Sequence, residues 1–172
     1  MIGSELRERQ APLKAKYKDD PKTAQLVLKA RARLADGFVA AIVEPSPATT
    51  PTGITAGLHP ATGGDGSEAC SGDMLLQALV GCAGVTMRAV STAMALDVQG
   101  TVNAEGDIDF RGTLGVSKEV PVGFSAIRLR FELTSDATDE QLAKLVQLTE
   151  RYCVVLQTLR AAVPVTSALA RA

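Results

Sequence analysis

The sequence predicts an α+β fold in which strands precede and follow one long helix and a second helix comes near the end. Residues 71–96 form a long, almost entirely apolar run that is typical of a buried helix. Residues 98–110 and 123–134 alternate polar with β-branched or apolar side chains, as strands do, and residues 136–152 have helical spacing. Because strands and helices come in separate blocks, the pattern favours α+β layers.

The composition argues against nucleic acid as a partner. The chain of 172 residues has 18 basic and 19 acidic residues, so it presents no excess of positive charge to phosphates. Two tyrosines, four phenylalanines and no tryptophan leave little with which to stack bases. We therefore expect no nucleic-acid binding.

The N-terminus and the apolar run predict a cytoplasmic protein without a membrane span. The N-terminus lacks a short basic start followed by an apolar core, which would mark a secretory signal. Gly81, Gly84 and Arg88 interrupt the apolar run before it is long enough to cross a bilayer. Three irregularly spaced cysteines do not make a secreted disulfide framework, so they are expected to start as thiols.

The N-terminal part is predicted to contain an extension and a hairpin. Residues 1–24 are interpreted as a helical N-terminal extension, broken or kinked near Pro12, and residues 25–172 as the main domain. Residues 25–34 alternate partly with period two, and residues 35–37 have the composition of a tight turn before residues 38–44, which predicts a hairpin with Asp36-Gly37 in its turn. Residues 45–71 are rich in Pro, Gly and Ser, which predicts a loop with a short strand at 54–58.

The remaining elements follow from capping and periodicity. Ser71 is predicted to cap the long helix, and Asp73 places a carboxylate in its first turn, where the helix dipole favours it. Residues 136–138 supply the cap of the second helix, which runs to Tyr152 and continues at 154–160 directly or after a break. The predicted apolar face of the last strand comprises Phe124, Ala126, Ile127, Leu129, Phe131 and Leu133, and that of the second helix Leu142, Leu145, Val146 and Leu148.

Few side chains can carry chemistry, and three interpretations of them stay open. A Cys–His pair would rest on His59, the single histidine, and a zinc site would need His59 with the three cysteines, which lack close paired spacing. Cysteine redox chemistry needs only one activated thiolate and a second thiol in reach. Cys82 in the long helix and Cys153 at a helix end could meet, although buried cysteines are also common in apolar helices.

The segment from Ser71 to Cys82, SGDMLLQALVGC, resembles the corresponding segment of the OsmC/Ohr family of thiol-dependent peroxidases. A strand-rich stretch follows it, and then the second cysteine within Tyr152-Cys153-Val154-Val155, which is the order found in that family. The resemblance covers roughly residues 25–170.

The resemblance implies two antiparallel sheets around central helices in an intertwined homodimer, with active sites at the interface. Cys82 would be the peroxidatic thiolate that attacks an apolar organic hydroperoxide, and Cys153 would resolve the sulfenic acid as a disulfide. A dithiol such as a lipoyl protein would reopen it, and no metal or other cofactor is implied. A family arginine lowers the pKa of the thiolate; Arg31 is the candidate here, with Arg33 second.

Two departures place the chain in the broader OsmC-like branch. The organic-hydroperoxide branch has proline and glutamate where this chain has Ser71 and Gly72, so Asp73 or Glu68 would have to hold the arginine instead. Its second cysteine is followed by proline, and here Val154 follows. Cys70 is interpreted as an incidental thiol. The alternative function is an OsmC-like stress protein that binds an apolar ligand without peroxidase turnover.

Overall fold

A computed structural model of the chain describes residues 3–36, 39–45 and 52–171. It divides into two compact units, one made of residues up to 77 together with 104–129, the other of residues 78–103 together with 130–171. Strands and helices are mixed as the α+β prediction requires. The elements are α1 Gly3–Asp19, β1 Ala32–Leu34, β2 Ala40–Val43, β3 Ile54–Gly57, β4 Ala69–Cys70, α2 Ser71–Ala93, β5 Gln99–Asp107, α3 Phe110–Thr113, β6 Ala126–Thr134, α4 Asp139–Tyr152 and α5 Val154–Arg160, with short 3₁₀ turns at Pro21–Ala24 and Pro60–Thr62.

The N-terminal helix α1, predicted to be broken or kinked near Pro12, continues through Pro12 as a single helix, so the break is wrong and the kink stays a prediction. Proline removes one backbone donor, but its fixed φ is compatible with a helix and the neighbouring bonds can continue the helix beyond it. Most of the described residues of α1 are exposed. The predicted boundary between an extension and a main domain after residue 24 stays a prediction.

The first unit contains a four-stranded sheet in the order β1-β2-β3-β4. The predicted hairpin is present as the antiparallel pairing of β1 with β2, in which Leu34 lies opposite Ala41. The strand predicted from residue 25 is wrong for residues 25–31, since β1 begins at Ala32. Gly37 of the predicted turn and Phe38 of the predicted strand lie outside the described residues. The short strand predicted at 54–58 is β3, which pairs antiparallel with β2 and parallel with the two residues of β4.

The long helix α2 ends at Ala93, earlier than the predicted Leu96, because the chain closes it with a left-handed residue. Ala95 has φ of 55°, its N–H donates to the carbonyl of Thr92, and the N–H of Leu96 donates to the carbonyl of Ser91 at 2.9 Å. These two bonds make a Schellman motif, with alanine where glycine is usual. The helix begins at Ser71, so Ser71 is its first residue and not the predicted cap, and Asp73 lies in the first turn as predicted.

The expectation that α2 is a buried helix is wrong for the single chain. Its buried residues, Leu79, Ala83, Met87 and Ser91, form one stripe at a spacing of four. Val85 on the same helix is 74% exposed. By length and composition α2 is long and apolar enough to cross a membrane, so the expectation that Gly81, Gly84 and Arg88 make this run too short for a bilayer is wrong. The core helix of a soluble protein has the same length and composition. A single chain therefore leaves much of this helix uncovered.

The core of the second unit consists of Met87 in α2, Val98 before β5 and Leu145 in α4. Phe131 and Leu133 of β6 pack against these three residues. The burial of side chains alternates along β6, as predicted. Ala126 was predicted on the apolar face together with Ile127, but neighbouring residues of a strand point to opposite faces. Ile127 is on the buried face, so Ala126 is exposed. Helix α4 begins with a capping box between Thr138 and Gln141. The helix stops at Tyr152, and α5 begins after Cys153, so the predicted break is present.

Candidate thiol site

Cys82 and Cys153 come together within the second unit, and both are free thiols. Cys82 is half-buried near the middle of α2. Cys153 is fully buried at the junction of α4 and α5, where its extended backbone (φ −72°, ψ 107°) separates the two helices. The backbone N–H of Cys153 donates to the carbonyl of Thr149 at 2.9 Å, which fixes the position of Cys153 at the end of α4.

Four hydrogen-bond donors lower the pKa of the Cys82 thiol. They are the thiol of Cys153, the backbone N–H groups of Val154 and Val155, and the hydroxyl of Thr86. The two peptide donors are available because the first N–H groups of a helix, here α5, have no partner within that helix. The break at Cys153 is therefore what supplies peptide donors to Cys82.

The two thiols have opposite pKa shifts. Burial raises the pKa of Cys82, but the peptide donors of Val155 and Val154, the Cys153 thiol and the Thr86 hydroxyl together outweigh it, and the net pKa lies below the ordinary value of 9.0. Burial, with the neighbouring Cys82, raises the pKa of Cys153 above that value, although the N–H groups of Leu156 and Val155 oppose this. As the pH rises, Cys82 ionises first and Cys153 remains its proton-bearing neighbour.

The other two predicted site residues belong to the first unit. Arg31 precedes β1 and forms an ion pair with Glu44, with 3.5 Å between Nε and Oε1, and its side chain is 79% exposed. Asp73 is exposed in the first turn of α2. The roles predicted for them remain predictions, as does that of Glu68, whose carboxylate accepts from the Ser67 hydroxyl.

The first unit also contains a cavity of about 560 Å³. Leu58, Leu76, Ile108 and Phe124 contribute to a mostly apolar lining, which His59, Cys70 and Asp73 complete. His59 stacks on Phe110 with ring centroids 4.9 Å apart, and its Nδ1 accepts from the N–H of Ala61. His59 thus has a capping role in the 3₁₀ turn. In the part of the chain that the structure describes, no group of three or more His, Cys, Asp or Glu side chains is arranged to hold a metal ion.

The family model for OsmC-like proteins matches residues 64–168, a stretch that includes both cysteines. The chain belongs to the OsmC-like family. A comparison with curated protein sequences finds no significant match.

Solved OsmC-like structures share the fold. An OsmC-like protein from Mycoplasma pneumoniae is similar with a TM-score of 0.64 at 16% identity, covering 80% of this chain and 90% of that one. An OsmC-like protein of unknown function from Vibrio cholerae gives 0.52 at 16% identity over 77% and 94% of the two chains. A protein from Psychrobacter arcticus described as an osmotic stress induced and detoxification response protein gives 0.56 at 12% identity over 78% and 89%. At these identities the likeness concerns the fold.

The donors that act on Cys82 include groups that were not predicted from the sequence. Thr86 is four residues after Cys82, a spacing that places both side chains on one helix face and could have signalled the contact. The peptide donors of Val154 and Val155 carry no signal in their side chains, since they depend on where α4 ends.

Proposed function

We propose that this protein is a thiol-dependent peroxidase that reduces organic hydroperoxides through Cys82 and Cys153. The observation that carries the proposal is the hydrogen-bonded pair in which the pKa of Cys82 is lowered and that of Cys153 is raised. A thiolate is the nucleophilic form of cysteine, and a second thiol beside it can capture a sulfenic acid. One thiolate next to one thiol is what a two-cysteine cycle requires.

The chemical cycle has three steps. The Cys82 thiolate attacks the terminal oxygen of the hydroperoxide, the O–O bond breaks, and the alkoxide leaves as alcohol after taking a proton from solvent. Cys153 then attacks the Cys82 sulfenic acid, forming the disulfide and releasing water. A dithiol reduces the disulfide by exchange and becomes a disulfide itself.

Exposed apolar groups around Cys82 favour an apolar hydroperoxide. Val85 is three residues further along the same helix face, and Val154, whose N–H donates to the Cys82 sulfur, is 70% exposed. Cys153 is fully buried whereas Cys82 is not, so a reducing dithiol reaches the disulfide at the Cys82 sulfur. A lipoyl protein offers such a dithiol.

A second copy of the chain is the proposed partner that covers the rest of α2. The exposed residues of this helix include Leu75, Ala78 and Val85, and burying such apolar surface is worth about 25 cal/mol per Å². A homodimer with the thiol site at its interface accounts for a helix that is apolar on faces the single chain leaves open. We propose a cytoplasmic location, where reductants return the thiols to their starting state.

The proposed role of Arg31 is to orient the peroxide beside Cys82, with Asp73 holding the arginine. Arg31 is now paired with Glu44 at the surface, and exposed pairs of this kind contribute about 0–1 kcal/mol. Arg31 can therefore leave Glu44 for another carboxylate or for a peroxide at little cost in free energy.

The proposal is tested by consumption of cumene hydroperoxide with a dithiol as reductant. Cys82→Ser should abolish turnover because the nucleophile is gone, and Cys153→Ser should remove the disulfide from the cycle and slow turnover. Cys70→Ser is the matched control, since Cys70 lies in the first unit and should leave turnover unchanged. Full turnover by Cys82→Ser would show that the mechanism is wrong.

The cavity of the first unit favours a second candidate, a stress protein that binds an apolar ligand. Its volume of about 560 Å³ lies in the range of small-molecule sites and its lining is mostly apolar. Such a protein would bind its ligand equally well after Cys82→Ser and would consume no peroxide. The turnover assay separates the two functions.

A further inference from the structure

Thr86 contacts Cys82 in two ways. It lies one turn after Cys82 on the same face of α2, and its hydroxyl donates to the carbonyl oxygen of Cys82 over 2.7 Å. The same hydroxyl is also one of the donors that lower the pKa of the Cys82 thiol. A hydroxyl has one proton, so a strong bond goes to one of these acceptors at a time.

The bond to the carbonyl is the ordinary behaviour of threonine in a helix and is dispensable. Threonine hydroxyls commonly bond to the carbonyl four residues before them. Cys82 lies inside α2, so its carbonyl also accepts the backbone N–H four residues on, as in any α-helix. The hydroxyl can therefore leave the carbonyl without stranding a polar group.

The sulfur competes for this proton only when it is charged. A neutral thiol is a weak acceptor, whereas hydrogen bonds to ionised groups are roughly twice as strong as neutral ones. Cys153, at the α4–α5 junction, is the titratable group that hydrogen-bonds to the same sulfur. Since Cys153 keeps its proton while Cys82 ionises, the Thr86 hydroxyl adds a second side-chain donor to the thiolate.

We propose that Thr86 is a positioning residue whose hydroxyl turns from the carbonyl oxygen to the sulfur of Cys82 when this thiol ionises. The inference concerns the reactive form of Cys82 and deepens the proposed function, on which its catalytic meaning rests. Thr86 then assists the step in which the thiolate attacks and has no part in the later attack by Cys153.

The test is the pH profile of Cys82 alkylation by iodoacetamide, followed by mass spectrometry in a Cys70→Ser background. Thr86→Val keeps the shape of the side chain and removes the hydroxyl. Losing a hydrogen bond to a charged group should slow alkylation about tenfold below the profile's midpoint and move that midpoint to higher pH. Above both midpoints Cys82 is ionised in either protein and the rates should agree.

Two further variants make the result specific. Thr86→Ser keeps the hydroxyl and should restore the wild-type profile. Ser91→Ala is the matched control, because it removes another hydroxyl of α2 that donates to a helix carbonyl, that of Arg88 at 3.1 Å. A Thr86→Val profile that superimposes on the wild type, or an equal shift in Ser91→Ala, would overturn the inference.

The inference and the proposed function fail separately. If the profile shifts as described but the wild type consumes no hydroperoxide, Thr86 stabilises the thiolate and the peroxidase proposal is wrong. If the wild type turns over and the profile does not shift, the peroxidase proposal stands and Thr86 is a structural residue.

Discussion

Thr149 carries a hydroxyl that is fully buried and has no hydrogen-bond partner among the described residues. It lies one turn before Cys153, to whose N–H its carbonyl is bonded. A buried polar group without a partner costs about 1–3 kcal/mol, so the hydroxyl weakens the fold at the point where α4 delivers the thiol. Sequence patterns do not reveal such a residue, because threonine on a helix face usually bonds to its own helix.

Replacing Thr149 by valine should therefore stabilise the protein. Valine has nearly the same shape, and removing the unpaired hydroxyl should raise the free energy of unfolding by about 1 kcal/mol. Urea denaturation measures this change in the free energy of unfolding, with an unchanged m value. Thr149→Ser is the control, since it keeps the hydroxyl, loses a methyl group and should be destabilised by about 1 kcal/mol. A loss of stability in Thr149→Val would mean that the hydroxyl has a partner.

At the scale of the elements, local signals predicted most of the fold. The capping box of Thr138 and Gln141 and the alternation of β6 lie within a few residues of sequence, and both were recognisable. The end of α2 was not recognisable, because the residue in the left-handed conformation there is Ala95 and not the glycine that usually marks a helix end in a sequence. Its exposed face could not be predicted either, since periodicity shows which residues are apolar and not which of them the rest of the chain buries.

The exposed apolar face of α2 gives a prediction about assembly. Val85→Lys places a charge on the face that we propose a second copy covers, and should shift the protein from dimer to monomer in sedimentation experiments. Because Val85 is 74% exposed in the single chain, the monomer should keep its helical circular dichroism. Val116→Lys is the control, at a valine of similar exposure outside any helix or strand, and should not change the mass. Equal masses for wild type and Val85→Lys would refute the proposed interface.

At the scale of the whole molecule, the candidate site unites residues that are far apart in sequence. The resemblance to a family predicted Cys82 and Cys153, and the structure brings their thiols together within the second unit. The resemblance could not predict the four donors that lower the pKa of Cys82, because two of them are peptide N–H groups left without a helical partner by the break between α4 and α5. The roles of Arg31 and Asp73, in the first unit, stay predictions.

The most direct test of the account is the intact mass of the protein after one equivalent of cumene hydroperoxide. The wild type should lose two hydrogens as the Cys82–Cys153 disulfide forms, and Cys153→Ser should gain one oxygen, located on Cys82 and trapped by dimedone. Cys82→Ser should keep its mass, because the buried Cys153 has a raised pKa and stays a thiol. Oxidation of Cys82→Ser at the wild-type rate, or an unmodified wild type, would contradict the account.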